Sequence, residues 1–146
     1  MPIDESLLQI AEYAGAGYQP LVDFAHWRVA VLHYHEELLP HRIATAQRHA
    51  ETDEVFVLLA GRCILFIGGG GDRVGEIYAE DMQPLKLYNV RRLTWHTHTL
   101  SKDASVLIVE NRDTVSANSP QIDLTAAQRA RIIALTQNLW DGDETG

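Results

Sequence analysis

From about residue 21 to residue 111 the chain is a succession of short runs rich in β-branched and aromatic residues, each closed by a turn signal. This patterning constrains the fold more than any other feature. The first run, 27–35, reads Trp-Arg-Val-Ala-Val-Leu-His-Tyr-His, and Pro40 interrupts before the next, 43–49. Residues 54–59 follow, Gly61-Arg62 makes a hairpin turn into 63–67, and Gly68 to Gly71 forms a flexible hairpin tip. Further runs cover 75–78, 84–90, 93–100 and 105–110, the last two joined by the polar Ser101-Lys102-Asp103. Strands at this spacing predict a β-sandwich or barrel. Strand–helix alternation is absent, which argues against a parallel α/β sheet.

After residue 120 the period changes. Thr125 and Gln128 have the spacing of a capping box, and Ile132, Leu135 and Leu139 recur at helical intervals, with Ile133 and Trp140 broadening the apolar side. The spacing predicts a helix over 126–139, packed on the barrel or across a partner, and a short helix over 6–14. Residues 1–146 read as one domain with its barrel core at about 21–111.

The formal net charge of -8 argues against sequence-independent nucleic-acid binding, which needs clustered cations. Arg91 and Arg92 form only a small local pair. The single cysteine, Cys63, lies in an apolar run and reads as a buried small hydrophobe. The N-terminus lacks the pattern of a signal peptide, and no apolar run is long enough to span a bilayer. The expectation is a cytoplasmic protein with no nucleic-acid or membrane partner.

Residue types suited to metal chemistry occur on two distant segments. His49 is followed five residues later by Glu54 and then by an apolar run ending at Gly61; His96 and His98 lie far along the chain. Residues two apart on a strand share a face, so Gln47 pairs with His49, and His96 with His98. Two imidazoles and a carboxylate suit a divalent ion such as zinc, iron, manganese or nickel, and leave positions open for water and substrate. The same three residues also suit a metal-free polar cluster whose members satisfy one another by hydrogen bonds. His33 and His35 have similar spacing without a following glutamate, and either can face the pocket from a neighbouring strand. Phe56 and Tyr88 are expected in the pocket wall, and Arg91 near its mouth, where it would attract an anionic ligand. The glycine run is not a phosphate loop, because no lysine and hydroxyl follow it.

The segment from His49 to Gly61 resembles the first motif of the cupin superfamily, a His-x-His followed by a glutamate and a closing glycine. His49, Glu54 and Gly61 match it, and Trp95-His96 is similar to the end of the second motif. The resemblance implies an all-β, double-stranded β-helix (jelly-roll) barrel of the RmlC-like type, often a homodimer, with His49, Glu54 and His96 as metal ligands. Gln47 stands at the family's first histidine, and Arg91, Leu93 and Leu100 depart from the second motif. The function implied is that of a divalent-metal-dependent isomerase or lyase acting on a small polar or anionic metabolite. His98 is the candidate acid or base, and Gln47 would orient water or substrate. The alternative is a non-catalytic ligand-binding or sensory cupin without metal.

Overall fold

The structure is a computed structural model that describes residues 2–141. In chain order the strands are β1 (Tyr18–Phe24), β2 (Trp27–His33), β3 (Thr45–Gln47), β4 (Glu54–Ala60) and β5 (Cys63–Ile67). They continue as β6 (Tyr78–Asp81), β7 (Tyr88–Val90), β8 (His96–Leu100), β9 (Ser105–Asn111) and β10 (Gln121–Asp123), and the helix α1 (Ala126–Trp140) closes the described chain. Two five-stranded sheets form, ordered β1-β2-β9-β4-β7 and β10-β3-β8-β5-β6. The paired strands are antiparallel within each sheet. This is a double-stranded β-helix.

Alternation in the sequence sets the sheet faces. In β9, Val106, Ile108 and Glu110 are buried and their neighbours less so; Glu54, Phe56 and Leu58 do the same in β4. Leu32, Phe56, Leu58, Leu65, Leu100, Val106 and Ile108 fill the space between the sheets. β5 breaks the alternation because both its faces are covered. Cys63 and Leu65 turn inward, while Ile64 and Phe66 meet Ile132 of α1, with Leu135, Leu139 and Trp140 alongside. The helix therefore packs on its own barrel. Thr125 caps it: its Oγ1 accepts from the Gln128 N–H at 3.1 Å, and Gln128 Oε1 accepts from the Thr125 N–H at 2.9 Å.

Several boundaries differ from the sequence reading. The run 43–49 yields only the three residues of β3, since residues 40–42 form a 3-10 turn beginning at Pro40. The strands expected at 75, 84 and 93 begin three to four residues later. Leu85 and Leu93 have positive φ (68° and 66°), which a strand does not accept. The sheets also extend beyond 21–111, to Tyr18 at one end and to β10 at the other. Residues 6–14 form no helix; Leu7, Leu8 and Ile10 remain exposed, and so short a helix without a packed face does not hold in water. Gly61 turns β4 into β5 with φ of 68°, and a Cβ there would lie 2.5 Å from the Ala104 Cα. No helix among the described residues is long and apolar enough to cross a membrane.

Candidate functional site

A cavity of about 800 Å³ opens between the sheets. Strand ends deliver its polar residues. Glu54 begins β4 and Gln47 ends β3; His96, which begins β8 opposite Gln47 in the register, does not line the cavity itself but reaches it through Glu54. His49 lies just beyond β3, where its carbonyl accepts the Leu93 N–H at 2.7 Å and fixes the backbone.

His49, Glu54 and His96 converge: one ligand atom from each lies within 4.8 Å of the other two, and all three residues are buried. His49 Nε2 is 3.1 Å from Glu54 Oε1, and His96 Nε2 is 3.0 Å from the same oxygen. The other ring nitrogens are committed elsewhere, His49 Nδ1 to Ser119 Oγ at 2.7 Å and His96 Nδ1 to the Thr94 carbonyl at 2.9 Å. A carbonyl only accepts, so His96 Nδ1 carries a proton and donates. Its Nε2 then meets a carboxylate oxygen either as a second N–H of a charged ring or as a bare lone pair across from a cation. A histidine fixed through Nδ1–H to a backbone carbonyl is the usual setting of a metal-bound Nε2. The donor set thus fits a divalent ion.

The charged groups of the site act on one another. Burial raises the Glu54 carboxyl, but the two facing imidazoles outweigh it and hold the group well below the usual carboxylate range. Burial depresses His49, yet its hydrogen bond to Glu54 and the charges of Glu54 and Glu110 leave its pKa raised. His98 is different. Burial, then the proximity of His96, lowers it to about 4, and its Nδ1 has no hydrogen-bond partner among the described residues. It is a neutral imidazole in the cavity wall.

The remaining expected residues divide. Gln47 and His35 line the cavity; His35 Nδ1 accepts the Glu37 N–H at 3.2 Å. Phe56 lies behind it in the core, its ring 6.2 Å from that of His96 and 5.9 Å from that of His98, so it supports the site rather than walling it. Tyr88 packs on the core and its hydroxyl accepts the Gln83 N–H, away from the cavity. His33 stacks on Tyr13 at 5.6 Å and is held by the Gly15 carbonyl. Arg91 is exposed and sits 3.7 Å from Asp53, outside the cavity wall, so it guards no mouth.

Among the cavity residues that escaped the sequence reading are Glu110, Arg28 and Tyr18, which form one cluster. Arg28 Nη2 donates to Glu110 Oε1 at 2.8 Å, and the Tyr18 hydroxyl donates to the same oxygen. Burial and the neighbouring Glu54 raise the Glu110 carboxyl above its ordinary value. A signal for Glu110 did exist: Val106, Ile108 and Glu110 alternate on one face, so an inward apolar pair predicts an inward carboxylate.

No known family matches the sequence, and no curated protein matches it. Solved structures do match. A Streptomyces Pac13 variant with uridine is 9% identical, with 80% of this chain and 87% of that chain covered and a TM-score of 0.53. CapF with the inhibitor 3-isopropenyl-tropolone is 11% identical over 76% of this chain and 33% of that chain, also with a TM-score of 0.53. An RmlC-like cupin from Methanocaldococcus jannaschii is 11% identical over 70% of this chain and 89% of that chain, with a TM-score of 0.48. The fold is a double-stranded β-helix of the cupin type. At these identities the likeness is one of fold.

Proposed function

We propose that this protein is a metal-dependent enzyme of the isomerase or lyase kind, acting on a small polar metabolite. The observation that carries the reading is the convergence of His49, Glu54 and His96 within 4.8 Å at a cavity large enough for such a ligand. When bound, the ion supplies Lewis-acid polarisation of a substrate oxygen. The protein's own residues do the rest. His49 and His96 offer Nε2 atoms aimed by Ser119 and Thr94, and Glu54 offers the anionic oxygen between them. His98, neutral and unpartnered, is free to take up and return a substrate proton. Gln47 presents an amide that orients water or substrate.

Pac13 is described as a nucleoside dehydratase, which is lyase chemistry on the same fold. The metabolite class is better drawn from the cavity itself. Glu37, Glu54 and Glu110 line it, and Arg28, which also lines it, is engaged by Glu110. That balance favours a neutral polyol-like ligand over an anion.

Calorimetric titration of chelator-treated protein with Zn²⁺, Fe²⁺, Mn²⁺ and Ni²⁺ tests the reading. One ion per chain is expected, with at least about tenfold weaker binding after His49→Ala or His96→Ala. A second reading, a ligand-binding barrel without metal, is favoured by Gln47 standing where an imidazole would complete the ligands. Absence of binding for all four ions, with thermal stability unchanged by chelation, would establish it over the first.

A further inference from the structure

Glu110 is neither a metal ligand nor an acid or base in the function proposed above, yet its placement is unusual. On β9 it stands opposite Arg28 of β2. Val109 pairs with Val55, and continuing that antiparallel register sets Glu110 beside Glu54 of β4. Both carboxylates are buried, Glu54 at 4% exposure and Glu110 at 5%. Like charges directly across an antiparallel pair repel, and burial strengthens the repulsion. One guanidinium faces the two carboxylates from the same row of side chains, and the imidazoles of His49 and His96 face Glu54 from beyond it.

The two oxygens of Glu110 are used unequally. Oε1 accepts from Tyr18 and from Arg28, whose Nε and Nη2 lie at 3.2 and 2.8 Å. These contacts fix the carboxylate plane. Oε2 is buried with no hydrogen-bond partner among the described residues, and it lies 4.0 Å from His49 Nε2. A buried carboxylate oxygen left bare is costly unless it shares a proton with a neighbouring carboxyl, here Glu54, or something absent from the protein chain completes it.

We propose that Glu110 is a further ligand of the ion held by His49, Glu54 and His96, so that the centre carries two imidazoles and two carboxylates. The inference rests on the metal-binding reading above. The spacing to His49 agrees with it; the donors that all lie within 4.8 Å of one another are those of His49, Glu54 and His96, so Glu110 would close on the ion from the edge of that group. Two donors bonded to one ion at about 2.1 Å each can lie up to about 4.2 Å apart. The 4.0 Å from His49 Nε2 to Glu110 Oε2 therefore suits donors at a wide angle across the ion. The 3.1 Å from His49 Nε2 to Glu54 Oε1 suits adjacent donors. The second carboxylate also balances the divalent charge and makes up for the imidazole that Gln47 does not provide. Replacing nitrogen with oxygen shifts preference toward harder ions, Mn²⁺ over Zn²⁺ relative to an imidazole-rich site.

The test titrates chelator-treated full-length wild type, Glu110→Gln and Glu110→Asp with Mn²⁺ and, separately, with Zn²⁺. Wild type should bind both. Glu110→Gln should lose at least about tenfold in Mn²⁺ affinity and less for Zn²⁺. A purely structural role for Glu110 would weaken both ions equally, and that result would overturn the proposal. So would Mn²⁺ affinity within twofold of wild type. Should Glu110→Gln fail to fold because Arg28 loses its partner, Glu110→Asp keeps a carboxylate for Arg28 but draws it back by one methylene. Its Mn²⁺ affinity should likewise fall, and wild-type affinity there would overturn the proposal. A wild type that binds neither ion sinks the metal-binding reading itself, and this inference with it; a wild type that binds while Glu110→Gln is unaffected sinks this inference alone.

Discussion

His49 and His98 line one cavity, yet their surroundings move their protons in opposite directions. His49 gains a carboxylate partner and its pKa rises. It adds stability below the unfolded-state value of about 6.5, and that contribution fades as pH climbs through the folded value. His98 is half-buried in the cavity wall, has no hydrogen-bond partner for Nδ1 among the described residues, and sits at about 4. Between that value and about 6.5 the unfolded chain binds more protons at this residue than the folded one. Acidification through this window therefore weakens the fold, by up to about 3 kcal/mol from His98. Replacing it removes this share: His98→Gln should lose less stability than wild type between pH 6.5 and pH 4.5, as denaturant melts at the two pH values will show. Glu54 adds a loss at still lower pH, because its depressed carboxyl stabilises the fold above the ordinary carboxylate range and ceases to as protons reach it. At this scale the metal-type trio was legible, since His49 and Glu54 fall within one short motif. For Glu110 alternation gave only an inward direction; its partners Arg28, Tyr18 and Glu54 come from three other strands, and only the pairing of β1, β2, β9 and β4 brings them together.

Elements with many periods could be read from the sequence, and elements with few could not. The helix expected over 126–139 forms as Ala126–Trp140, because Thr125 and Gln128 cap each other and one apolar stripe finds the outer face of β5. Thr125→Ala removes an acceptor for a free N–H of the first turn and should cost about 1 kcal/mol, measured as a shift in the denaturation midpoint at constant m-value. β3, β7 and β10 have three residues each, too short for alternation to register, and β10 passed unnoticed. The run at 63–67 was identified as a strand from its β-branched and aromatic content, but its continuous apolarity has a tertiary cause, the helix covering its second face.

Across the whole molecule, the apolar core and the polar site share one interior. Phe56 is 1% exposed, lies in the cluster between the sheets and sets its ring against His96 and His98. Phe56→Ala opens a void at that junction and should cost about 3–5 kcal/mol on unfolding. It should also weaken metal binding, since His96 loses a wall that fixes its ring; calorimetry on the folded variant reads this second effect. The cupin fold was legible from the order of short strands and the His49–Gly61 spacing. The character of the cavity was not: Arg91, expected at its mouth, is exposed beside Asp53, and three carboxylates line the cavity instead, two of them buried.

The most direct measurement is anomalous X-ray diffraction from crystals grown with Mn²⁺. The account predicts one strong peak per chain, within about 2.3 Å of His49 Nε2, His96 Nε2 and a Glu54 carboxylate oxygen. A peak only on surface carboxylates, or an interior in which Glu54 remains hydrogen-bonded to both histidines with no anomalous signal, would contradict it.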